Sequence, residues 1–339
     1  MNKIFSKVTI TKTFLNLLPT PAILKRYIGG KGTIFMMHQV ASIDKNGLPS
    51  VEKLKITPEY LENSIKQLKK LNYDFISITN LEERLKNDSK KRFAIFTLDD
   101  GYRDNYINAY KIFKKYNIPF TIYVTSSFPN KSAILWWYCV AELIMKKDKI
   151  ITSKHVISTN NIKEKERAFR VLKEEILSFD YKNLEDELIK YLSRYNIKEC
   201  LDGYREKLCI SWDELKELSK DSLVTIGGHT KSHPSLVRLS LKDAINEILE
   251  NKKELENRLN IEINTFAYPF GSDNDFTKRE EDLVESLGFK NALTTKIGNI
   301  FSIHQNNLYA LPRVALTEGL DIDKKLYIVP FIKNRAKRV

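Results

Sequence analysis

The sequence predicts an α/β fold whose parallel strands close into a barrel. Three observations carry that expectation. Short apolar runs alternate with amphipathic helical stretches at the spacing of βα units. The units recur often enough over 339 residues to favour a ring over an open sheet. Acidic and histidine residues follow the ends of apolar runs, where the loops of a parallel barrel share one face. A composition of 42% hydrophobic and 29% charged residues suits a soluble globular chain with length enough for a large core.

Residues 1–32 are read as an N-terminal extension. Its apolar stretch from Phe14 to Ile28 is broken by Pro19, Pro21, Lys25 and Arg26, which makes it a poor secretory signal and too polar for a membrane span. A cytoplasmic location is expected, with this stretch packed on the barrel or lying peripherally on a membrane surface. The barrel is expected over residues 33–320. Thr33–His38 reads as its first strand. Thr57 caps a helix opened by Pro58, with Leu61, Ile65 and Leu68 at helical spacing. Tyr73–Ile78 reads as a second strand, and Thr79–Glu82 as a capping box for a helix through Leu85. Phe93–Leu98 is the third strand, followed by a helix over Arg103–Tyr116 and a strand at Phe120–Val124.

From about residue 130 to 210 the alternation breaks. Trp136 and Trp137 lead into an apolar helix, and a Lys/Glu-rich helical region follows through Leu172, Ile176, Leu184, Leu188 and Leu192. This predicts a helical insertion at the barrel rim, whose tryptophans pack on the barrel or face a substrate. Ser211–Glu214 is a capping box that restarts the rhythm. Strands are expected at Leu223–Ile226, Ile263–Ala267, Asn291–Thr295 and Tyr309–Leu316, with helices at Ser240–Leu259 and Lys278–Leu287. Residues 321–339 form a basic tail.

The formal net charge is +13, from 56 Lys+Arg against 43 Asp+Glu, which favours anionic partners or a lysine-rich solvated surface. No basic-aromatic motif marks a specific nucleic-acid site. Cys139, Cys200 and Cys209 show neither a paired framework nor a C-x-x-C, so reduced thiols are expected.

The chemistry concentrates in a few places. Asp99 and Asp100 end an apolar strand before Gly101, and carboxylates there need a partner, a metal or a catalytic task, unless they simply make the turn. His229 and His233 are four apart behind a glycine pair, a spacing at which one helical turn would align both imidazoles. Two imidazoles and one carboxylate make a three-ligand metal site with an open position for water, leaving the second carboxylate free as general base.

The segments Thr97-Leu98-Asp99-Asp100-Gly101, His229-Thr230-Lys231-Ser232-His233 and Phe266-Ala267-Tyr268-Pro269-Phe270-Gly271, in this order, resemble the polysaccharide deacetylases of the NodB-homology type, carbohydrate esterase family 4. The similarity spans roughly Thr33 to Leu316 apart from the insertion. It implies a distorted (β/α) barrel of about seven strands, with Asp99 as catalytic base and Asp100, His229 and His233 as ligands of a divalent metal, most often zinc. The implied reaction is removal of acetyl groups from N-acetylated sugars, with a histidine protonating the leaving amine. Ala267 stands where the family commonly has an arginine that orients the base, and Arg313 is the candidate replacement from another strand. His38 is the candidate acid, ahead of His304. Tyr268 and Phe270 are expected to flank the site beside Pro269, and Tyr102 to line the cleft or pack under it.

The expected function is that of a metal-dependent carbohydrate N-deacetylase in surface-glycan assembly. Its expected substrate is an N-acetylated saccharide, nucleotide- or lipid-linked. The second reading is a non-catalytic glycan- or membrane-binding module on a degenerate barrel, motivated by Ala267 and the uncertain acid. Hydrolysis of an O-acetyl ester or phosphoester is a further reading.

Overall fold

The computed structural model describes residues 28–87, 89–319 and 321–327; the apolar stretch Phe14–Ile28 lies outside these except at its last residue, as does the tail beyond residue 327. Seven parallel strands form the barrel: β1 (Gly32–Met37), β2 (Phe93–Leu98), β3 (Phe120–Val124), β4 (Val224–Gly228), β5 (Thr265–Ala267), β6 (Asn291–Ile297) and β7 (Leu311–Ala315). The ring runs β1-β7-β6-β5-β4-β3-β2 and closes where β1 pairs with β2 from Gly32↔Phe93 to Met37↔Leu98. Because every pair is parallel, all seven strands point their C-terminal ends at one rim.

Strand alternation sorts the side chains. Ile34, Phe93, Ile95, Tyr123, Leu293 and Leu311 pack into one interior cluster, whereas Phe35, Ala94, Phe96, Leu98, Phe120 and Ile122 pack outward beneath the helices, as a period of two requires. The outer layer includes α1 (Pro58–Lys70), α2 (Tyr110–Tyr116), α7 (Trp212–Leu218), α8 (Leu241–Leu259) and α9 (Lys278–Ser286). The Thr57 and Ser211 caps form as the sequence predicts, the latter as a full capping box.

Several expectations are corrected. The strand expected at Tyr73–Ile78 is only Asp74–Phe75, paired to β2 outside the ring. Ile78–Asn80 is already a tight turn, capped by the Ser77 side chain, so Thr79 lies inside it and the Thr79–Glu82 capping box does not form; Glu82 pairs with Lys86 instead. The segment after Asp100 does not enter an α-helix at Arg103. There the Arg103 N–H donates to the Leu208 carbonyl and Tyr102 bridges Cys209, and the first regular turn, Asn105–Ala109, is a widened π-type turn.

The insertion comprises α3 (Trp136–Lys146), a short antiparallel hairpin at Lys149–Ile151 and Val156–Ser158 that the helical pattern did not predict, then α4 (Ile162–Ile176), α5 (Leu184–Tyr191) and α6 (Ile197–Leu208). It has its own core, including Cys139, Val140, Leu172, Leu188 and Leu201, which Tyr102 and Phe128 join from the barrel. All three cysteines are free thiols. Among the described residues no helix is long and apolar enough to cross a membrane.

Gly227 shows how tightly the interior is filled. A Cβ there would stand 2.5 Å from the Tyr123 ring and 2.9 Å from the Thr265 methyl, and Tyr123 is fully buried with its hydroxyl hydrogen-bonded to Thr265. Gly227→Ala is therefore expected to destabilise the fold by about 1–3 kcal/mol, measured by urea unfolding; an unchanged midpoint would mean that the ring has slack at this layer.

Candidate active site

The barrel's alternation delivers the first group. Phe93, Ile95 and Thr97 face inward, so Asp99, two residues on, continues the interior row, and Arg313 does the same two residues after Leu311. The two meet in the interior. Arg313 Nη1 donates to Asp99 Oδ1 and Nη2 to Asp99 Oδ2, both at 2.7 Å, while Nε donates to the Thr294 carbonyl at 2.8 Å. Arg313 is 1% exposed and Asp99 2%. Burial works to raise the Asp99 pKa, but the Arg313 guanidinium outweighs it and holds the carboxyl below its usual value. Ala267 offers no guanidinium, and the one that meets Asp99 comes from Arg313 across the barrel.

Asp100 does not continue the strand. Its φ of 81° is followed by 99° at Gly101, which swings its carboxylate towards the loop after β4. That loop is not a helical turn, contrary to the simple reading of the His229/His233 spacing. Thr230 and His233 both have φ of 65°, and the tight loop they make brings the imidazoles to a centroid separation of 4.9 Å. Of the eight non-glycine residues with positive φ among those described, four are Asp100, Thr230, His233 and Phe270. Backbone strain concentrated at one rim is characteristic of a functional site.

Asp100 Oδ1 lies 3.3 Å from Nε2 of both histidines, and one ligand atom from each residue falls within 4.8 Å of the others. His229 Nδ1 is 2.7 Å from the Ala267 carbonyl, which can only accept, so Nδ1 carries a proton and in the neutral ring Nε2 faces the carboxylate with a lone pair. Neutral His229 and ionised Asp100 therefore repel unless a cation or a proton lies between them. Asp100 Oδ1 is moreover buried without a hydrogen-bond donor. Atoms about 2.0–2.2 Å from a tetrahedral ion stand roughly 3.3–3.6 Å apart, which matches the Asp100–histidine spacing, so the residues fit a divalent metal. Burial opposes ionisation of Asp100, yet the two imidazoles, where a proton lies between them and the carboxylate, overcome it and hold its pKa well below normal. Burial likewise works to lower the His229 pKa, and the Asp100 carboxylate reverses this.

Other residues hold these groups in place. Thr125, after β3, donates its N–H to the Asp100 carbonyl and its hydroxyl to the His229 carbonyl. On α8, Asn251 accepts the His229 N–H, and Glu247 accepts the Ser232 N–H and hydroxyl; burial pushes the Glu247 carboxyl up. Sequence reasoning passed over both, although polar residues in phase with the buried Ala244, Ile248 and Leu255 were the signal. His38 follows β1 in the inward parity of Ile34 and is near enough to depress both aspartates electrostatically. Asn105 donates to the His38 carbonyl, and Asp104 accepts from the Val40 N–H and the Gln39 amide. His304 stands beyond Ile300, which bridges Gly32 at the N-terminal end of the barrel, and is thereby removed as a candidate acid.

The expected substrate contacts divide. Phe270 is half-buried with its ring 4.9 Å from that of His233. Tyr268 instead lies in the core, stacked on Phe276, its hydroxyl donating to the Tyr309 carbonyl, because β5 parity turns it outward beneath α9. Pro269 is buried in the turn. Tyr102 is fully buried against Phe128 and Tyr138, so it supports the insertion and does not line a cleft. A cavity of about 310 Å³ opens beside this cluster, lined by His233 and Phe270 on the barrel side and by Trp136, Trp137, Phe179 and Tyr181 on the insertion side.

With this geometry in view, comparison with known proteins is informative. Residues 86–292 match the family model described as polysaccharide deacetylase. The chain is 22% identical over 303 residues to YxkH of Bacillus subtilis (strain 168), a protein whose name places it among the polysaccharide deacetylases, covering 89% of this chain and 77% of that one. Among solved structures, the Streptococcus pyogenes deacetylase PplD, determined in complex with acetate, superposes with a TM-score of 0.58 at 18% identity, covering 87% of this chain and 96% of the other. IcaB from Ammonifex degensii gives 0.55 at 15% identity, covering 88% and 96%.

Two predictions follow from the buried carboxylates. Arg313→Met leaves Asp99 charged and unpaired inside the barrel, and is expected to cost about 3–5 kcal/mol at neutral pH, read from urea unfolding; a loss under about 1 kcal/mol would show that the pair carries little of the interior. Asp104 is raised by burial to about 6. A raised carboxyl binds more protons folded than unfolded, so stability falls as pH rises from about 4 through about 6. Asp104→Asn is expected to flatten the unfolding profile across that window, and an unchanged slope would assign it to other groups.

Proposed function

The chain belongs to the polysaccharide deacetylase family, and on that footing we propose that it is a metal-dependent hydrolase that removes acetyl groups from N-acetylated sugar units of a surface glycan or its precursor. The observation that carries this reading is the placing of an ionised, arginine-held Asp99 beside the Asp100–His229–His233 cluster at the rim of the barrel. A divalent ion held by those three residues, with zinc favoured by the His₂Asp donor set, would acidify water and polarise the acetyl carbonyl.

The chain's own residues supply the rest. Asp99 takes a proton from the attacking water on a carboxylate oxygen, each oxygen retaining a lone pair beyond its bond to Arg313. Arg313 keeps that carboxylate ionised and fixes its plane. His38 delivers a proton to the departing amine nitrogen, held by the Asn105 bond to its carbonyl. His229 is kept in one tautomer by the Ala267 carbonyl. The Phe270 ring beside His233 excludes water from one side of the reaction centre. The cleft is compatible with a polymeric, lipid-linked or nucleotide-linked saccharide, and a substrate panel separates them.

Acetate release from N-acetylated saccharides and sugar nucleotides by zinc-reconstituted protein is the test. Asp99→Asn is expected to keep the metal and lose on the order of 10²–10⁴-fold in rate, and His233→Ala to lose metal and activity together. Stoichiometric metal with no acetate from any member of the panel would move the assignment to a non-catalytic glycan-binding module.

A further inference from the structure

A chain of buried hydrogen bonds joins the insertion to the segment that carries His38, and the chemistry above makes no use of it. Tyr138, on α3, donates its hydroxyl to the Gln39 side-chain carbonyl, and the Gln39 side-chain nitrogen donates to Asp104 Oδ2 at 2.9 Å. We infer that Tyr138 is a positioning residue for His38, acting through Gln39 and Asp104, so that the insertion takes part in delivering the proton to the leaving amine. This inference rests on the deacetylase reading with His38 as acid, and it deepens that reading by one residue of the insertion.

The backbone has to place the His38 ring, because among the described residues no hydrogen bond reaches its imidazole. His38 stands at the bend between β1 and the two-residue strand Gln39–Val40, which pairs with Lys55–Ile56. Before the bend, the Met37 carbonyl accepts the Asp99 N–H at 3.0 Å. After it, the widened turn brings three side chains to bear. Asn105 donates to the His38 carbonyl at 2.9 Å, Asp104 Oδ1 accepts the Val40 N–H at 2.8 Å, and Asn108 donates to the Val40 carbonyl at 2.7 Å. Asp104 is the member of this clamp that Gln39 and Tyr138 orient, so the insertion bears on His38 through its neighbours in the chain.

The direction of the chain is fixed. An ionised Asp104 only accepts, so the Gln39 nitrogen faces it and the Gln39 oxygen faces Tyr138, which must donate. Gln39 is 1% exposed and Tyr138 7%, so water does not substitute for a lost bond and a buried amide would be left unpaired. Packing aims the Tyr138 hydroxyl. Its ring is stacked on Tyr204 with centroids 5.1 Å apart and meets Tyr102 edge to face at 6.4 Å. Tyr204 in turn donates to Glu142 on α3 at 2.8 Å. A phenylalanine at 138 would keep those ring contacts and lose only the bond to Gln39.

Leaving-group chemistry separates positioning of an acid from support of the fold. An amine departs only when protonated, whereas 4-nitrophenolate departs without a proton. The zinc-loaded full chain is assayed for acetate release from N-acetylglucosamine, its β-1,4- and β-1,6-linked pentamers and UDP-N-acetylglucosamine, and from 4-nitrophenyl acetate. His38→Gln is expected to lose on the order of 10²–10⁴-fold in kcat on the best amide and to keep its aryl acetate rate. Tyr138→Phe is expected to lose about 10-fold in kcat on that amide, part of the 10²-fold that an ångström of misplacement can cost. Its KM, zinc stoichiometry and aryl acetate rate are expected to stay as in the wild type, and Gln39→Leu, which breaks the chain at its middle, to show the same pattern. Combined with His38→Gln, Tyr138→Phe is expected to cost nothing further. Equal losses on amide and aryl ester, an undiminished amide rate in both chain variants, or a full further loss in the His38→Gln background would overturn the role of Tyr138 and leave the deacetylase reading standing. An amide rate that His38→Gln does not lower would overturn His38 as acid and this inference with it. Wild-type protein that releases no acetate from any amide would overturn the deacetylase reading itself.

Discussion

A charged pair buried inside the barrel constrains everything around it. Arg313 and Asp99 reach each other from β7 and β2 through bidentate bonds, and neither has water to fall back on. Four of the five guanidinium N–H groups are accounted for by Asp99, Thr97 and Thr294. A pair of this kind is weak evidence for stability, since apolar residues of similar volume commonly do as well. Its retention makes sense as the device that keeps a carboxylate charged, oriented and dry at the strand ends. It also requires the ring to close in one register, because a shift of either strand by one residue would turn its member of the pair outward.

From that fixed point the rim is built by strain and by polar props. Asp100 departs from the strand at positive φ, and the β4 loop curls through Thr230 and His233 in the same region. Such conformations persist only when the surroundings over-determine them. Thr125 ties the Asp100 and His229 backbones together, and Asn251 and Glu247 hold the histidine loop from α8. The props come from the loop after β3 and from α8, so the Asp100–His229–His233 cluster is a property of the assembled barrel and no single motif contains it.

The insertion extends this logic outward. Its core is separate from that of the barrel, joined through Tyr102 and Phe128, and its aromatic face closes one side of the cavity beside His233. Burial of Tyr102 is what lets a helical appendage be oriented against the reaction centre. The insertion's packing is separate from that of the barrel interior, so the cavity wall and the buried ion pair rest on different cores.

What the sequence by itself determined is local and periodic. Alternation in Phe93–Leu98 put Asp99 at the end of a buried strand, Thr57 and Ser211 announced their helices, and the order of Asp99-Asp100, His229–His233 and the Tyr268–Gly271 turn marked the family and the strand ends that bear the site. That Arg313 meets Asp99 was decided only by ring closure, since it depends on two strands separated by more than two hundred residues meeting in one register. Burial of Tyr102 and Tyr268, the loop geometry of His229 and His233, and the displacement of His304 to the opposite end were also tertiary outcomes. They follow from parity, backbone handedness and barrel direction, and a linear spacing carries none of these. The same holds for the cavity, whose walls belong to segments that no sequence pattern joins.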